Sequence, residues 1–354
     1  GSPVYLTPKM DKQEEIYTQA MQYLDDAIAD LQKEDLIDPG AQDLLYQGDA
    51  EKWLKLAYGL KARYTMHLLK RSANKDADME KVLEYVDNSF ESAEEQAAFD
   101  VYDANNINPL YGFFVARAGL GASESMRSKL AEYNDPRLSR AFITKQGASG
   151  KEQAPGTADN AVYAPNGSPG QGTSKYGTSL FMYSISAPTL LLSYHELKFL
   201  EAEALCRLER DAKSALKDAV VAGLLNAENS FTISRKELGK TLINAASSIT
   251  EAEAESYFDN TIEAKYTAEP LKTTMTQKYF ALWGASGEAT ESYNDVRRMK
   301  GLGENFIELK NPNSFPLRCP YGNSDTTTNA EVKAAYGNGQ YVYSENVWWA
   351  GGSR

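Results

Sequence analysis

Two blocks of helical periodicity, separated by a stretch without it, constrain the fold of this 354-residue chain more than any other sequence feature. Apolar residues recur at three- and four-residue spacings in five segments, which predicts amphipathic helices. These segments are residues 11–32, 50–71, 78–97, 189–208 and 212–220. Between the two blocks, residues 144–179 contain seven Gly and three Pro, which interrupt regular structure. The pattern therefore predicts a mostly α protein that carries a long irregular insert.

The same pattern divides the chain into a scaffold, an insert and a tail. An acidic segment at 250–266 and two segments at 271–284 and 288–300 complete the second helical block. From residue 301 onward Gly, Pro, Asn and Tyr dominate, which indicates an irregular tail lying over the helices. We expect one domain over residues 1–354, made of a helical scaffold at about 11–99 and 188–300, a loop-rich insert at about 100–187 and a C-terminal wrap at 301–354.

The second and third predicted helices are joined by a short connection, so we expect an antiparallel hairpin. Asp49 stands where the second helix needs an N-cap. Inside that helix, four residues have the spacing of the first helix of a tetratricopeptide repeat, with departures at the last two positions. They are Trp53, Leu56, Ala57 and Leu60. No regular repeat of this kind follows, so the predicted fold class is mostly α, with degenerate tetratricopeptide-like helical hairpins.

The charge balance argues against nucleic acid and anionic membranes as partners. The chain has 37 Lys and Arg against 49 Asp and Glu, a net charge of −12, without a basic stripe. No run approaches the roughly 18 apolar residues of a membrane-spanning helix. The two cysteines, Cys206 and Cys319, have no metal-ligand spacing, and a disulfide between them is compatible with the sequence. We expect neither a metal nor a cofactor.

Motifs for catalysis are missing. The two histidines, His67 and His195, each lie inside an amphipathic helix, where a structural role is the preferred interpretation. The stretch 195–199 begins like the zinc helix H-E-x-x-H but ends in Phe199, so the second ligand is absent. Neither a nucleophile elbow nor a Walker loop occurs. We therefore expect a protein that is not an enzyme.

Aromatic residues are abundant: 22 Tyr, 12 Phe and 4 Trp against 2 His. Rings in loops offer flat faces on which the C–H faces of sugars stack, while neighbouring amides bind hydroxyl groups. We predict a ligand site made of such groups in and before the insert; the alternative is that the same rings only pin the insert to the helices. The predicted ligand-binding residues are Tyr163, Asn166, Tyr176, Phe181 and Tyr183, with Tyr111 and Phe113 as a second group nearby.

Four motifs follow one another along the chain. Residues 48–63 read G-D-x-x-K-W-x-K-x-A-x-x-L-K-x-R, and residues 134–138 read N-D-P-R-L. Residues 277–298 combine Q-K-x-x-A-L with a later Glu and an Arg-Arg pair, and residues 318–321 read R-C-P-Y. In this order they resemble the SusD/RagB-like nutrient-binding proteins of the Bacteroidetes outer membrane.

The resemblance implies an outward-facing lipoprotein of the cell outer membrane. Such a protein captures an oligosaccharide and passes it to a SusC-like TonB-dependent transporter, without chemistry and without a cofactor. Family members usually begin earlier, at a lipid-modified cysteine, so contact with the membrane would run through an anchor not present in this chain. We interpret five cations of the motifs as fixing helices and loops through buried ion pairs: Lys52, Arg63, Arg137, Arg297 and Arg298.

Three other functions remain open at this point. A peptide-capturing member of the same family would use backbone pairing or charge, and acidic walls would favour basic peptides. A helical-repeat scaffold that binds only protein partners would show an exposed apolar groove. A glycoside hydrolase would need two carboxylates facing each other across a cleft.

Overall fold

The computed structural model describes residues 7–34, 37, 39–116, 120–146, 151–153, 162–167, 176–243 and 245–353. Helices dominate this part of the chain, which confirms the mostly α prediction. They are α1 Gln13–Leu31, α2 Ala50–His67, α3 Lys75–Asp87, α4 Pro109–Ala116, α5 Glu124–Glu132, α6 Tyr194–Arg207, α7 Lys213–Leu238, α8 Glu251–Tyr257, α9 Glu263–Ala268, α10 Pro270–Ala281, α11 Ala289–Leu302, α12 Asn323–Thr328 and α13 Ala330–Tyr336. None of these helices is both long and apolar enough to cross a membrane.

The strands are few and short. They are β1 Ala97–Phe99, β2 Phe142–Gln146, β3 Lys151–Gln153, β4 Thr178–Ser179, β5 Thr189–Leu192 and β6 Leu242–Ile243. β1 and β5 form an antiparallel pair, and the other four form a small sheet in the order β4-β2-β3-β6, in which β3 and β6 run parallel. The pairing of β3 with β6 thus ties the insert to the scaffold.

Side-chain caps begin several helices where the sequence indicates them. The Asp49 carboxylate accepts the N–H of Lys52 at 3.1 Å, which confirms the predicted cap of α2. Ser193 accepts the N–H of Glu196 at 3.0 Å and begins α6.

Two predicted helices have wrong bounds, for one shared reason. The third helix was predicted to continue to residue 97, but α3 ends at Asp87 and Ala97 lies in β1. The fourth was predicted from 189, but residues 189–192 form β5, in which Leu192 pairs with Ala97. This pairing joins segments far apart in the sequence, so local periodicity does not detect it. Short helices also occur in segments predicted to be irregular: α4 and α5 in the insert, α12 and α13 in the tail.

Helix α6 lies between two hydrophobic clusters. One face of α6 places Leu197 and Leu200 against α2 and α3. The other face places Phe199 in a larger cluster that includes Phe231 of α7 and Phe280 of α10. A helix that is apolar on both faces must be central, since it has two partners to pack against.

The first buried ion pair joins α2 to α6. The guanidinium of Arg63 donates from Nε to Glu196 Oε1 at 2.8 Å and from Nη2 to Glu196 Oε2 at 2.5 Å. Nη2 also donates to the carbonyl oxygen of Leu191 in β5 at 2.8 Å. Two parallel hydrogen bonds fix the orientation of both side chains, so this pair sets the position of α2 on α6.

The second buried cluster joins α6, α10 and α11. Glu203 accepts from Arg298 at 2.5 and 2.7 Å and from Arg207 at 2.8 Å. Arg298 also binds Asp295 at 2.7 Å, and the Nζ of Lys278 lies 2.8 Å from that same carboxylate. Burial alone would raise the pKa of Glu203, but the two arginines hold it well below its usual range.

Three of the five motif cations form the buried ion pairs that we expect from the sequence. Arg63 and Arg298 form buried ion pairs, and Arg137 binds Asp135 through two bonds of 2.9 and 2.6 Å. Within the described residues the interpretation is wrong for Lys52, whose Nζ lies 3.5 Å from the carbonyl oxygen of Glu94 and in no ion pair. It is also wrong for Arg297, which lies over two aromatic rings, Tyr293 at 4.1 Å and Trp349 at 5.0 Å.

His67 joins three parts of the protein. Its Nδ1 lies 3.2 Å from the Tyr17 hydroxyl of α1, and its Nε2 lies 2.7 Å from Glu291 of α11. Its ring stacks on Trp349 near the C-terminus at 5.6 Å. Burial would raise the pKa of Glu291, but the hydrogen bond and charge of His67 lower it to about 2. Cys206 and Cys319 are both free.

We expect Glu203→Gln to lower the free energy of unfolding by about 3–5 kcal/mol, because it removes the buried carboxylate that Arg298 and Arg207 share and leaves them only Asp295 and Glu304 as charged partners. Urea denaturation at pH 7 measures the change. The matched control is Glu201→Gln on the same helix, whose half-buried pair with Lys198 contributes about 1 kcal/mol or less. Equal losses for both variants would contradict the structural role given to Glu203.

We also expect acid to remove the contribution of Glu291. Because its folded-state pKa is about 2 and its unfolded value is near 4.3, the carboxylate stabilises the fold above about pH 4.3. That contribution, up to about 3 kcal/mol, is lost as the pH falls toward 2. Urea midpoints between pH 7 and 3 should fall less steeply for Glu291→Gln than for the unmodified protein. Glu251→Gln, exposed on α8, should leave the slope unchanged.

Candidate functional site

Two cavities that meet at Asn166 form the candidate site, called here the groove. The larger, of about 780 Å³, lies between α5, α10 and the segment 305–312. The smaller, of about 350 Å³, lies between the end of α10, α11 and the segment 309–316. Asn166 lines both cavities. These volumes fall within the range of small-molecule sites.

The turn that carries Asn166 is fixed by hydrogen bonds to the start of α5. Ala164 donates its N–H to the carbonyl of Ala122 at 2.8 Å, and Glu124 donates to the carbonyl of Ala164 at 3.0 Å. Ser123 Oγ donates to Asn166 Oδ1 at 2.8 Å. The Nδ2 group of Asn166 has no partner within the described residues, so it is available as a donor to a ligand.

Gly167 closes this turn against the far wall of the groove. Its φ of +68° is one that side-chain-bearing residues rarely adopt, and a Cβ would come within 2.7 Å of the ring of Pro312. Glycine therefore allows the turn to contact the segment 305–316, which forms one side of both cavities.

Aromatic side chains dominate the smaller cavity. Tyr293 of α11 donates its hydroxyl to the carbonyl of Pro316 at 2.7 Å, and its ring lies 5.8 Å from Phe315. Trp283, two residues beyond the end of α10, is half-buried and lines the same cavity, as does Tyr279. With Asn166 at the edge, the cavity offers ring faces and an amide side by side.

Buried rings support Trp283 from behind. Phe142 stacks on it with ring centres 5.5 Å apart, and Phe181 meets it edge-on at 5.1 Å. Tyr163 in turn packs edge-on against Phe142 at 5.2 Å. A side chain packed on two sides keeps one rotamer, so Trp283 presents a fixed surface to the cavity.

The larger cavity is polar and charged. Lys272 pairs with Glu269 at 2.8 Å, and Lys310 pairs with Glu308. Lys129 of α5 instead donates to the hydroxyl of Ser125 at 2.7 Å, and burial lowers the pKa of its ammonium group. The cavity thus contains one half-buried cation whose partner in the described chain is neutral.

The predicted ligand residues occupy different places. Asn166 lines the groove, whereas Tyr163, Tyr176 and Phe181 are buried. Arg127 lies 5.2 Å from the centre of the Tyr163 ring, and burial raises the pKa of that phenol. In this conformation the buried rings hold the insert against the helices. Their contact with a ligand stays a prediction, and it would require the insert to move away from the helices.

The remaining predicted residues lie near α4, away from Asn166. The Tyr183 ring packs edge-on against Phe114 at 5.0 Å. The Tyr111 hydroxyl donates to Glu237 of α7 at 3.1 Å. The Phe113 side chain is 54% exposed and is the most accessible of these three predicted residues. The structure therefore places Tyr183 of the first predicted group beside α4, which carries the second group, whereas Asn166 lies in the groove.

Sequence reasoning missed Trp283, Tyr293 and Phe315. The first two lie in a motif interpreted as structural, and Phe315 lies in the tail. One signal was available, since Trp283 directly precedes Gly284 at the end of a helical pattern, where a ring can reach solvent.

Comparison with known proteins yields one family. A family described as "Starch-binding associating with outer membrane" matches residues 2–321. A SusD/RagB family protein of known structure from Bacteroides thetaiotaomicron is 66% identical, with a TM-score of 0.95, over 100% of this chain and 76% of its own. No curated protein matches the sequence.

More distant structures share the fold. A chitin-binding SusD homolog from Flavobacterium johnsoniae is 20% identical with a TM-score of 0.67, over 97% of this chain and 74% of its own. A Bacteroides vulgatus protein described as a candidate outer-membrane nutrient binder is 20% identical with a TM-score of 0.73, over 99% and 78%. At this identity the likeness concerns the fold alone.

Proposed function

Because the chain belongs to the SusD-like family, we propose that it captures an oligosaccharide without chemistry, and that the groove at Asn166 is where it does so. The observation that carries this proposal is the smaller cavity, where four aromatic side chains line a space next to the Asn166 amide, whose Nδ2 group has no partner in the described part of the chain. Stacked rings bind the C–H faces of sugars, and amides bind their hydroxyl groups. Asn166 would then act as predicted from the sequence, and Trp283 and Tyr293 would provide the ring faces.

A non-catalytic role is consistent with the lining of the smaller cavity. Within the described residues, that lining includes no Asp, Glu or His. Glycoside hydrolysis needs two carboxylates on opposite sides of the scissile bond.

The family also supports a location and a partner. We propose that the protein works on the outward face of the outer membrane, the membrane named in the family description. A SusC-like TonB-dependent transporter would then receive the glycan. Both cavities are partly open to solvent, which suits capture followed by release.

We expect oligosaccharide binding to depend on Trp283 and Asn166. The probes are starch- and chitin-derived oligosaccharides and a peptide panel, measured by calorimetry with product analysis for hydrolysis. Trp283→Leu and Asn166→Ala should each weaken glycan binding about five- to thirtyfold, since a stacked ring or a hydrogen bond contributes on the order of 1–2 kcal/mol.

The matched control is Tyr23→Ala, which removes a ring that is 65% exposed on α1. It should leave binding unchanged, and melting temperatures confirm that each variant folds. If Phe113→Ala is the one variant that weakens glycan binding, the site lies at α4 and not in the groove. Binding of peptides alone would favour the peptide-capturing member of the family. Absence of any small ligand would favour a scaffold for protein partners, and turnover would overturn the non-catalytic proposal.

A further inference from the structure

Lys129 differs from the other lysines of the larger cavity. It lies on α5 four residues after Ser125, so both side chains occupy the same face of the helix. Its Nζ donates to the Ser125 hydroxyl at 2.7 Å, and no carboxylate within the described part of the chain lies at ion-pair distance from it. By contrast, Lys272 and Lys310 each have a carboxylate partner.

A half-buried ammonium group with a neutral partner favours an anion. Removing a charge from water costs free energy unless an opposite charge compensates it. The charges of Glu308 and Glu132 partly offset this cost, but neither carboxylate is at ion-pair distance from Lys129, and burial still lowers the pKa of its ammonium group. An acidic group on a bound sugar would supply the missing partner in a charge-assisted hydrogen bond.

We propose that the larger cavity binds one acidic substituent of the glycan, a carboxylate or a sulfate, on Lys129. This inference rests on the proposed function, because the sugar itself is held in the adjoining smaller cavity. Asn166 lines both cavities, so one ligand can reach the aromatic side chains and the lysine together.

The carboxylates around the larger cavity limit how many negative charges the ligand can carry. Glu124 and Glu132 line the same cavity, and the chain carries a net charge of −12. A polyanion with a charge on every residue is repelled by these carboxylates. The preferred ligand is therefore a glycan with an isolated acidic group.

The test compares glucose, glucuronate, glucose 6-sulfate and tri-galacturonate, titrated at low salt and followed by NMR chemical shifts. Glucuronate or glucose 6-sulfate should bind about tenfold more tightly than glucose, and each should bind more tightly per charge than tri-galacturonate. The comparison of the first two acids shows whether carboxylate or sulfate is preferred. The preference should fall as salt is added.

In Lys129→Met, the acidic sugars should bind about as tightly as glucose, and the affinity for glucose itself should stay unchanged. The control Lys272→Met removes a paired lysine from the same cavity and should keep the preference. Equal binding of glucose and both acids, or a preference that survives Lys129→Met, overturns this inference and leaves the proposed function intact. If neither these sugars nor the oligosaccharide panel binds, the proposed function fails as well.

Discussion

The rest of the structure depends on the position of α6 between Arg63 of α2 and Arg298 of α11. Two buried carboxylates of this helix form the ion pairs. Glu196 binds Arg63, and Glu203 binds Arg298. A buried carboxylate without its partner is strongly unfavourable, so alternative packings of these helices are excluded. Because α11 also supplies Tyr293, the same ion pairs that order the scaffold place one wall of the groove.

The insert is attached to this scaffold by aromatic packing, in addition to an ion pair between Arg140 and Glu253 of α8. Tyr163, Phe142, Trp283 and Phe181 form a continuous series of ring contacts from the insert to the end of α10. Each such contact contributes about 0.5–1.5 kcal/mol beyond the area it buries. The rings that the sequence indicates as ligand groups therefore contribute to the site indirectly, since they hold Trp283 in place.

The sequence predicts the helices well because their periodicity is local, and it predicts the environment of single side chains poorly. Arg297 and Arg298 are neighbours in one motif, yet Arg298 is fully buried among carboxylates and Arg297 lies over rings. Adjacent helical residues point about 100° apart, and only the packing of α11 decides which one faces the core. Phe181 and Asn166 show the same limit, since both lie in the predicted insert and only the second reaches the groove.

The groove combines a rigid part with a part that can vary. Trp283 and Tyr293 sit next to buried clusters, so changes there would disturb packing as well as binding. Asn166 and Lys129 belong to the half-exposed turn and to α5, outside the ion pairs that order α2, α6 and α11. Substitutions at these two positions change the polar contacts available to a ligand at little cost in stability. A scaffold arranged in this way keeps the stacking surface constant while the polar side of the groove sets which glycan is preferred.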